Sequence, residues 1–178
     1  ETGKNIPIGG GLGGGSSNCA TTLKFLCNYH SIKLSLLDFE EICFDLGADV
    51  PVFLYGKSTF AEGCGQIFTE DYSNDSKYLL VTPKISISTK QLFKSRNLKI
   101  SSEVDTSLNS FFNVITKENN QFNDFINILC KKLSKNTQKK LKLSGTGSTL
   151  FIENPNDDEI QLIMGKIENN FRVFQVKG

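Results

Sequence analysis

Residues 5–18 read Asn-Ile-Pro-Ile-Gly-Gly-Gly-Leu-Gly-Gly-Gly-Ser-Ser-Asn, and the meaning of this run decides the fold. Between Gly9 and Gly15 only Leu12 is not glycine. Glycine loses more conformational freedom on folding than any other residue, so such density needs a reason. A flexible linker is one reason. A backbone that must approach a ligand closely, with its N–H groups aimed at it, is the other. A linker would lead into an independent module, often through more polar residues. Here the glycines run straight into Ser16-Ser17-Asn18, good helix N-cap residues, and then into Ala20, Leu23, Leu26 and Cys27 near helical spacing. Spare backbone N–H groups, two hydroxyls and the positive end of a helix dipole then fall at one place, which is an anion site. Glycine also reaches the positive φ angles that a concave N–H nest needs. This order of residues favours a phosphate cradle.

The kind of phosphate site is narrower still. A Walker A loop ends in Gly-Lys-Ser/Thr, and no lysine stands there. Gly9-x-Gly11-x-x-Gly14 matches the dinucleotide fingerprint, but in a run so rich in glycine the match carries little weight. That fingerprint also expects a second strand after the helix. Instead Ser35 and Asp38 form a capping box that opens a second helix, which Gly47 ends. Pro51, in Gly47-Ala48-Asp49-Val50-Pro51, forbids its simple continuation.

Composition bounds the partners. The 178 residues carry 20 basic and 19 acidic side chains, net +1, which argues against nucleic acid or a membrane surface as the main partner. The basic tract from Lys131 to Lys142 alternates with apolar residues and reads as the solvated face of a helix. Five cysteines, with no Cys-x-x-Cys spacing, suggest neither a disulfide framework nor a zinc site, and a reducing cytosol fits best. The single histidine, His30, reads as a polar residue near a helix end. No apolar run approaches membrane-spanning length.

Beyond residue 58 the pattern changes to strands at 58–61, 77–81, 149–152 and 172–176. Helices are expected at 89–94, 105–115, 121–133 and 157–169, the last capped by Asn156. Strands alternating with paired helices predict an α+β sandwich.

At this point a resemblance can be stated. IPIGGGLGGGSSNCATT is similar to the second motif of the GHMP kinases; LGADVPVFLYGKSTFAEGCGQ and the late SGTGSTLF resemble further stretches of the same family, in the same order. The resemblance implies the two-domain GHMP kinase fold, with residues 1–60 as part of the ATP-binding domain and 61–178 as a ferredoxin-like α/β sandwich. It implies an ATP- and Mg²⁺-dependent transfer of phosphate to an alcohol. The pattern is that of the branch acting on the 2-hydroxyl of a cytidyl-diphosphate sugar alcohol, in the cytoplasm.

Residue roles follow from the same resemblance. Lys4 would lie beside the adenine. Pro7 and Ile8 would contact ATP, and Gly9, Gly10, Gly11, Leu12, Gly13, Gly14, Gly15, Ser16 and Ser17 would wrap the triphosphate, with Ser17 also offered to the metal. Asp49 would be the catalytic carboxylate, accepting or orienting the substrate hydroxyl; taken alone it would read as a loop carboxylate making a turn hydrogen bond. Thr89 would touch substrate and Phe93 would stack on the cytosine. Gly147, with Gly145 and Thr146, would form a turn packed near the phosphate loop and the substrate.

The family also carries a segment ahead of this loop. It supplies early strands, a tyrosine and a histidine for the cytidine, and a lysine that partners the aspartate. These residues are not found here, so the chain by itself is expected to lack kinase activity. Unpaired strand edges would favour self-association or a companion fragment. A non-catalytic nucleotide-binding paralogue and a GHMP kinase for another small alcohol are the alternative readings.

Overall fold

The computed structural model describes residues 7–72, 75–99, 109–165 and 171–177. The chain divides into two compact units, one of residues 1–12 with 75–178 and the other of residues 13–74. The division falls at Leu12/Gly13 and Asn74/Asp75, whereas the family boundary was expected after residue 60.

The larger unit is built on a four-stranded antiparallel sheet of β3 (Lys77–Pro83), β4 (Lys142–Leu143), β5 (Leu150–Glu153) and β6 (Phe171–Lys177), in the spatial order β4-β5-β3-β6. Helices α4 (Thr89–Phe93), α5 (Ser110–Glu118), α6 (Asn120–Lys132) and α7 (Lys135–Lys139) intervene between β3 and β4, and α8 (Asp157–Gly165) between β5 and β6. This is the β-α-β-β-α-β order of a ferredoxin-like fold. Strand side chains alternate between faces, so Leu79 and Val81 share one face of β3. Register sets them opposite Ile152 and Leu150 of β5, and all four are fully buried. Val114, Ile115, Phe122, Phe125, Leu129 and Ile163 cover that face from the helices. Each such burial contributes about 1.5–3 kcal/mol, which fixes the floor on which the loops at the end of β3 and β5 are held.

The smaller unit holds α1 (Gly14–Tyr29), α2 (Leu36–Leu46), α3 (Val50–Tyr55) and an antiparallel hairpin of β1 (Ser58–Glu62) and β2 (Ile67–Tyr72). Ala20, Val50 and Leu54 form its core, with Leu23, Leu34, Ile42 and Phe53 packed against them. The Ser35–Asp38 capping box is present in both directions. His30 is the C-cap of α1. Lys24 of α1 donates from Nζ to the Phe53 carbonyl at 3.1 Å, near the C-terminal end of α3, where a cation is favoured.

Several expectations are corrected. The first helix starts at Gly14, with Gly13 (φ +63°) as its N-cap, so Ser16, Ser17 and Asn18 are helical residues and cap nothing. Left-handed Gly13 turns the chain into the helix, and its carbonyl accepts from Ser17 N–H at 2.8 Å. The break expected at Pro51 is present, since α2 ends at Leu46 and a separate helix follows. Pro51 sits in the first turn of α3, where a missing N–H costs no helical bond. The basic tract is not one helix face, because it is divided among α6, α7 and β4. The helix expected from 105 begins at Ser110 among the described residues, 105–108 lying outside them. The helix expected over 157–169 is described to Gly165, and 166–169 lie outside the described residues. Among the described residues no helix is long and apolar enough to cross a membrane.

Candidate functional site

In the larger unit the glycine run lies against the turn between β4 and β5, residues 144–149. Gly10 C=O accepts from Thr149 N–H at 3.1 Å, and Gly11 C=O accepts from the Ser144 hydroxyl at 2.8 Å. In a trans peptide the C=O and the following N–H point in opposite directions. Pinning these two carbonyls therefore turns the N–H groups of Gly11 and Leu12 away from the turn. The approach is closest at Gly11 (φ +71°), where a Cβ would lie 2.2 Å from the Ser144 carbonyl oxygen and 2.7 Å from Gly147 N. Only glycine fits there. Gly10 is buried, and its Cβ would meet Thr149 Oγ1 at 2.9 Å; Gly9 and Ile8 are exposed, and Pro7 and Leu12 half-buried.

The turn is itself strongly held. Thr149 and Ser148 are fully buried; Thr149 Oγ1 bonds Thr82 Oγ1 at 3.0 Å, and the Ser148 hydroxyl donates to Ile85 C=O at 2.7 Å. Gly147 (φ +77°) is buried, with the methyl ends of Ile115 and Leu143 each 3.1 Å from where a Cβ would stand. Thr146 Oγ1 bonds Thr89 Oγ1 at 3.0 Å, which ties the turn to the start of α4. On that short helix Leu92 is the buried residue. Phe93 is 62% exposed and meets Phe111 in a T-shaped contact at 5.0 Å. Thr89, Phe93, Gly147 and Gly9–Leu12 thus share one unit.

In the smaller unit lie Gly13–Ser17 and Asp49. Gly14, Gly15 and Ser16 precede the first intrahelical donor of α1, so their N–H groups are not used by the helix. No side chain caps this end, and its first turn holds no acidic residue. A Cβ on Gly15 would meet nothing within 4 Å. Ser16 and Ser17 are half-buried. The end therefore carries the positive pole of the helix dipole with no acid in its own first turn. Gly13 packs on Phe53, its Cβ position 2.7 Å from the ring edge. Phe53 lies one turn after Asp49, the N-cap residue of α3. Asp49 is exposed, and its carboxylate makes no capping hydrogen bond. The charge therefore sits ahead of a helix N-terminus, where it is tolerated, in addition to following α2. The hairpin tip closes on the same place: Gly65 (φ +101°) comes so near that its Cβ would lie 2.2 Å from the Ala48 carbonyl. The GADVP and FAEGCG stretches thereby meet.

Lys4 lies outside the described residues. Sequence reasoning missed Thr82, Asn109, Ser144 and Thr149, which hold the turn and the loop. Their hydroxyls and amide carry no spacing signal, since partners lie far along the chain. Among the described residues no group of three His, Cys, Asp or Glu side chains could hold a metal ion.

Comparison with known proteins bears on this arrangement. The model of the GHMP kinases N terminal domain matches residues 1–57. The 4-diphosphocytidyl-2-C-methyl-D-erythritol kinase of Buchnera aphidicola is 37% identical, over 98% of this chain and 60% of its own length. Proteins of the same name from Wigglesworthia glossinidia brevipalpis and Francisella tularensis are each 38% identical, covering 98% and 99% of this chain and 58% and 65% of their own lengths. The chain thus spans about three fifths of the curated relatives it matches. A crystal structure of 4-(cytidine 5'-diphospho)-2C-methyl-D-erythritol kinase superposes with a TM-score of 0.71 at 21% identity, over 98% of this chain and 69% of that one. That likeness concerns the fold.

Proposed function

Because the chain belongs to the GHMP kinase family, we propose that the intact protein transfers the γ-phosphoryl group of ATP to the 2-hydroxyl of 4-diphosphocytidyl-2-C-methyl-D-erythritol, a step of non-mevalonate isoprenoid precursor synthesis. Residues 1–60 then belong to the ATP-binding domain and 61–178 to the C-terminal domain. The observation that carries the reading is the open start of α1. Three spare N–H groups, two half-buried hydroxyls and no acid in the first turn suit a polyphosphate, and Gly13 packs on Phe53 of α3, the helix whose N-cap position Asp49 occupies.

In this reading Gly9–Ser16 donate backbone hydrogen bonds to the phosphate oxygens, the Ser17 N–H being held by the Gly13 carbonyl, and Pro7, Ile8 and Lys4 flank the nucleotide. Ser16 and Ser17 add hydroxyls, and Ser17 supplies a hard oxygen that fits Mg²⁺. When bound, Mg²⁺ neutralises charge on the phosphate oxygens. Asp49 accepts the proton of the attacking hydroxyl, or orients it in line. Phe93 stacks on the cytosine, and Thr89 with the Gly147 turn positions the rest of the substrate.

The test is ADP release by the intact protein with MgATP. Release that depends on the cytidyl substrate and not on mevalonate is the expected result. Release with mevalonate would assign another alcohol, and nucleotide binding without release to either would replace the kinase by a binding module.

A further inference from the structure

Asn109 is the N-cap of α5, where its Oδ1 accepts from Phe111 N–H at 2.9 Å. Its other end does something a cap does not require. Nδ2 donates to Leu143 C=O at 3.0 Å and to Gly145 C=O at 2.8 Å. Both amide hydrogens are thus spent on two carbonyls of the turn that grips the glycine run. The orientation is determined, because a flipped amide would set its oxygen against two carbonyl oxygens and its NH₂ against a donor. The sheet alone does not hold this segment. β4 is a two-residue edge strand, and beyond Leu143 the segment's backbone bonds are its own, Ser144 N–H to Thr149 C=O at 2.9 Å and Gly147 N–H to Ser144 C=O at 2.8 Å.

We propose that Asn109 is a positioning residue for nucleotide binding, an inference that rests on the phosphate-loop reading above. Asn109 fixes the carbonyls of residues 143 and 145. Between them, Ser144 holds the Gly11 carbonyl at 2.8 Å. Gly145 (φ +51°) is so close that its Cβ would lie 3.0 Å from the same Gly11 oxygen. Thr149, at the far end of the turn, holds the Gly10 carbonyl at 3.1 Å. The direction in which the Gly11 and Leu12 N–H groups point therefore depends on a side chain roughly one hundred residues away in sequence, with no ligand contact of its own required.

The isosteric variant Asn109→Asp separates the two roles. Aspartate is as good an N-cap as asparagine, so α5 keeps its cap. Nδ2 is replaced by an oxygen that repels the two carbonyls. In the intact protein Asn109→Asp should raise KM for ATP about tenfold, as expected for the loss of two modest hydrogen bonds. kcat should change much less, while the melting temperature falls by a few degrees with the two lost hydrogen bonds. Asn109→Ser, which also keeps an acceptor without adding charge, should raise KM for ATP in the same way, and it is the variant read if Asn109→Asp does not fold. A parental KM for ATP in the folded variant, or a fall in kcat alone, would overturn the proposal and leave Asn109 a helix cap. A parent enzyme that neither releases ADP nor binds ATP would instead overturn the functional reading.

Discussion

Asp49 and Gly11 illustrate what one residue can decide. A carboxylate that ends one helix region and begins the next would ordinarily cap the second, yet Asp49 leaves its side chain exposed and its helix without a side-chain cap. An asparagine there changes shape hardly at all and removes only the charge and basicity. Asp49→Asn is accordingly expected to lower kcat by roughly 10²–10⁴-fold, the range of a lost general base, with KM for ATP changed by no more than a few-fold. Steady-state kinetics of the purified variant check this, and an unchanged kcat removes the carboxylate from the chemistry. The glycine requirement at position 11 was legible from residue density. Its cause was not, since the Ser144 carbonyl that forbids a side chain is more than a hundred residues distant.

At the scale of elements, local signals were read well and long-range ones poorly. The Ser35–Asp38 capping box and the Asn156 cap each act within four residues of sequence, and both are present, Asn156 also receiving a return contact from Glu159. β4 has two residues and no pattern to read. α3 is a wholly apolar Val-Pro-Val-Phe-Leu-Tyr, without the polar face that marks a helical period. Glu159 also links elements. It is buried, which pushes its carboxyl up. The Lys140 ammonium at 2.8 Å, the Asn156 N–H and the Thr137 hydroxyl outweigh that effect and hold it below the ordinary carboxylate value. A group depressed by folding contributes stability that is present above its unfolded value and lost as pH falls through its folded one. Melting temperature should therefore drop on acidification through and below the ordinary carboxylate range. Glu159→Gln should melt about 2–4 °C lower at pH 7 and show a shallower acid slope; an identical slope would mean that the Glu159–Lys140 contact is electrostatically idle.

For the whole molecule, the α+β class was legible because strand alternation and helix order survive without tertiary knowledge, whereas the ferredoxin-like form was expected from the family resemblance, β4 having gone unread. The likeness to the GHMP kinases was legible because the motifs that carry it are local in sequence. The division into compact units was not, since residues 1–12 join a unit whose remainder begins at residue 75, through hydrogen bonds that no local pattern announces. The same holds for the turn that steadies the glycine run. The central claim is that backbone N–H groups of Gly9–Ser16, with the hydroxyls of Ser16 and Ser17, receive the phosphates of a nucleotide. Amide ¹H–¹⁵N spectra of the intact protein titrated with MgATP test this directly. The account predicts that the largest shifts fall on the amides of Gly9–Ser17; saturable shifts that leave those amides unmoved and cluster elsewhere would contradict it.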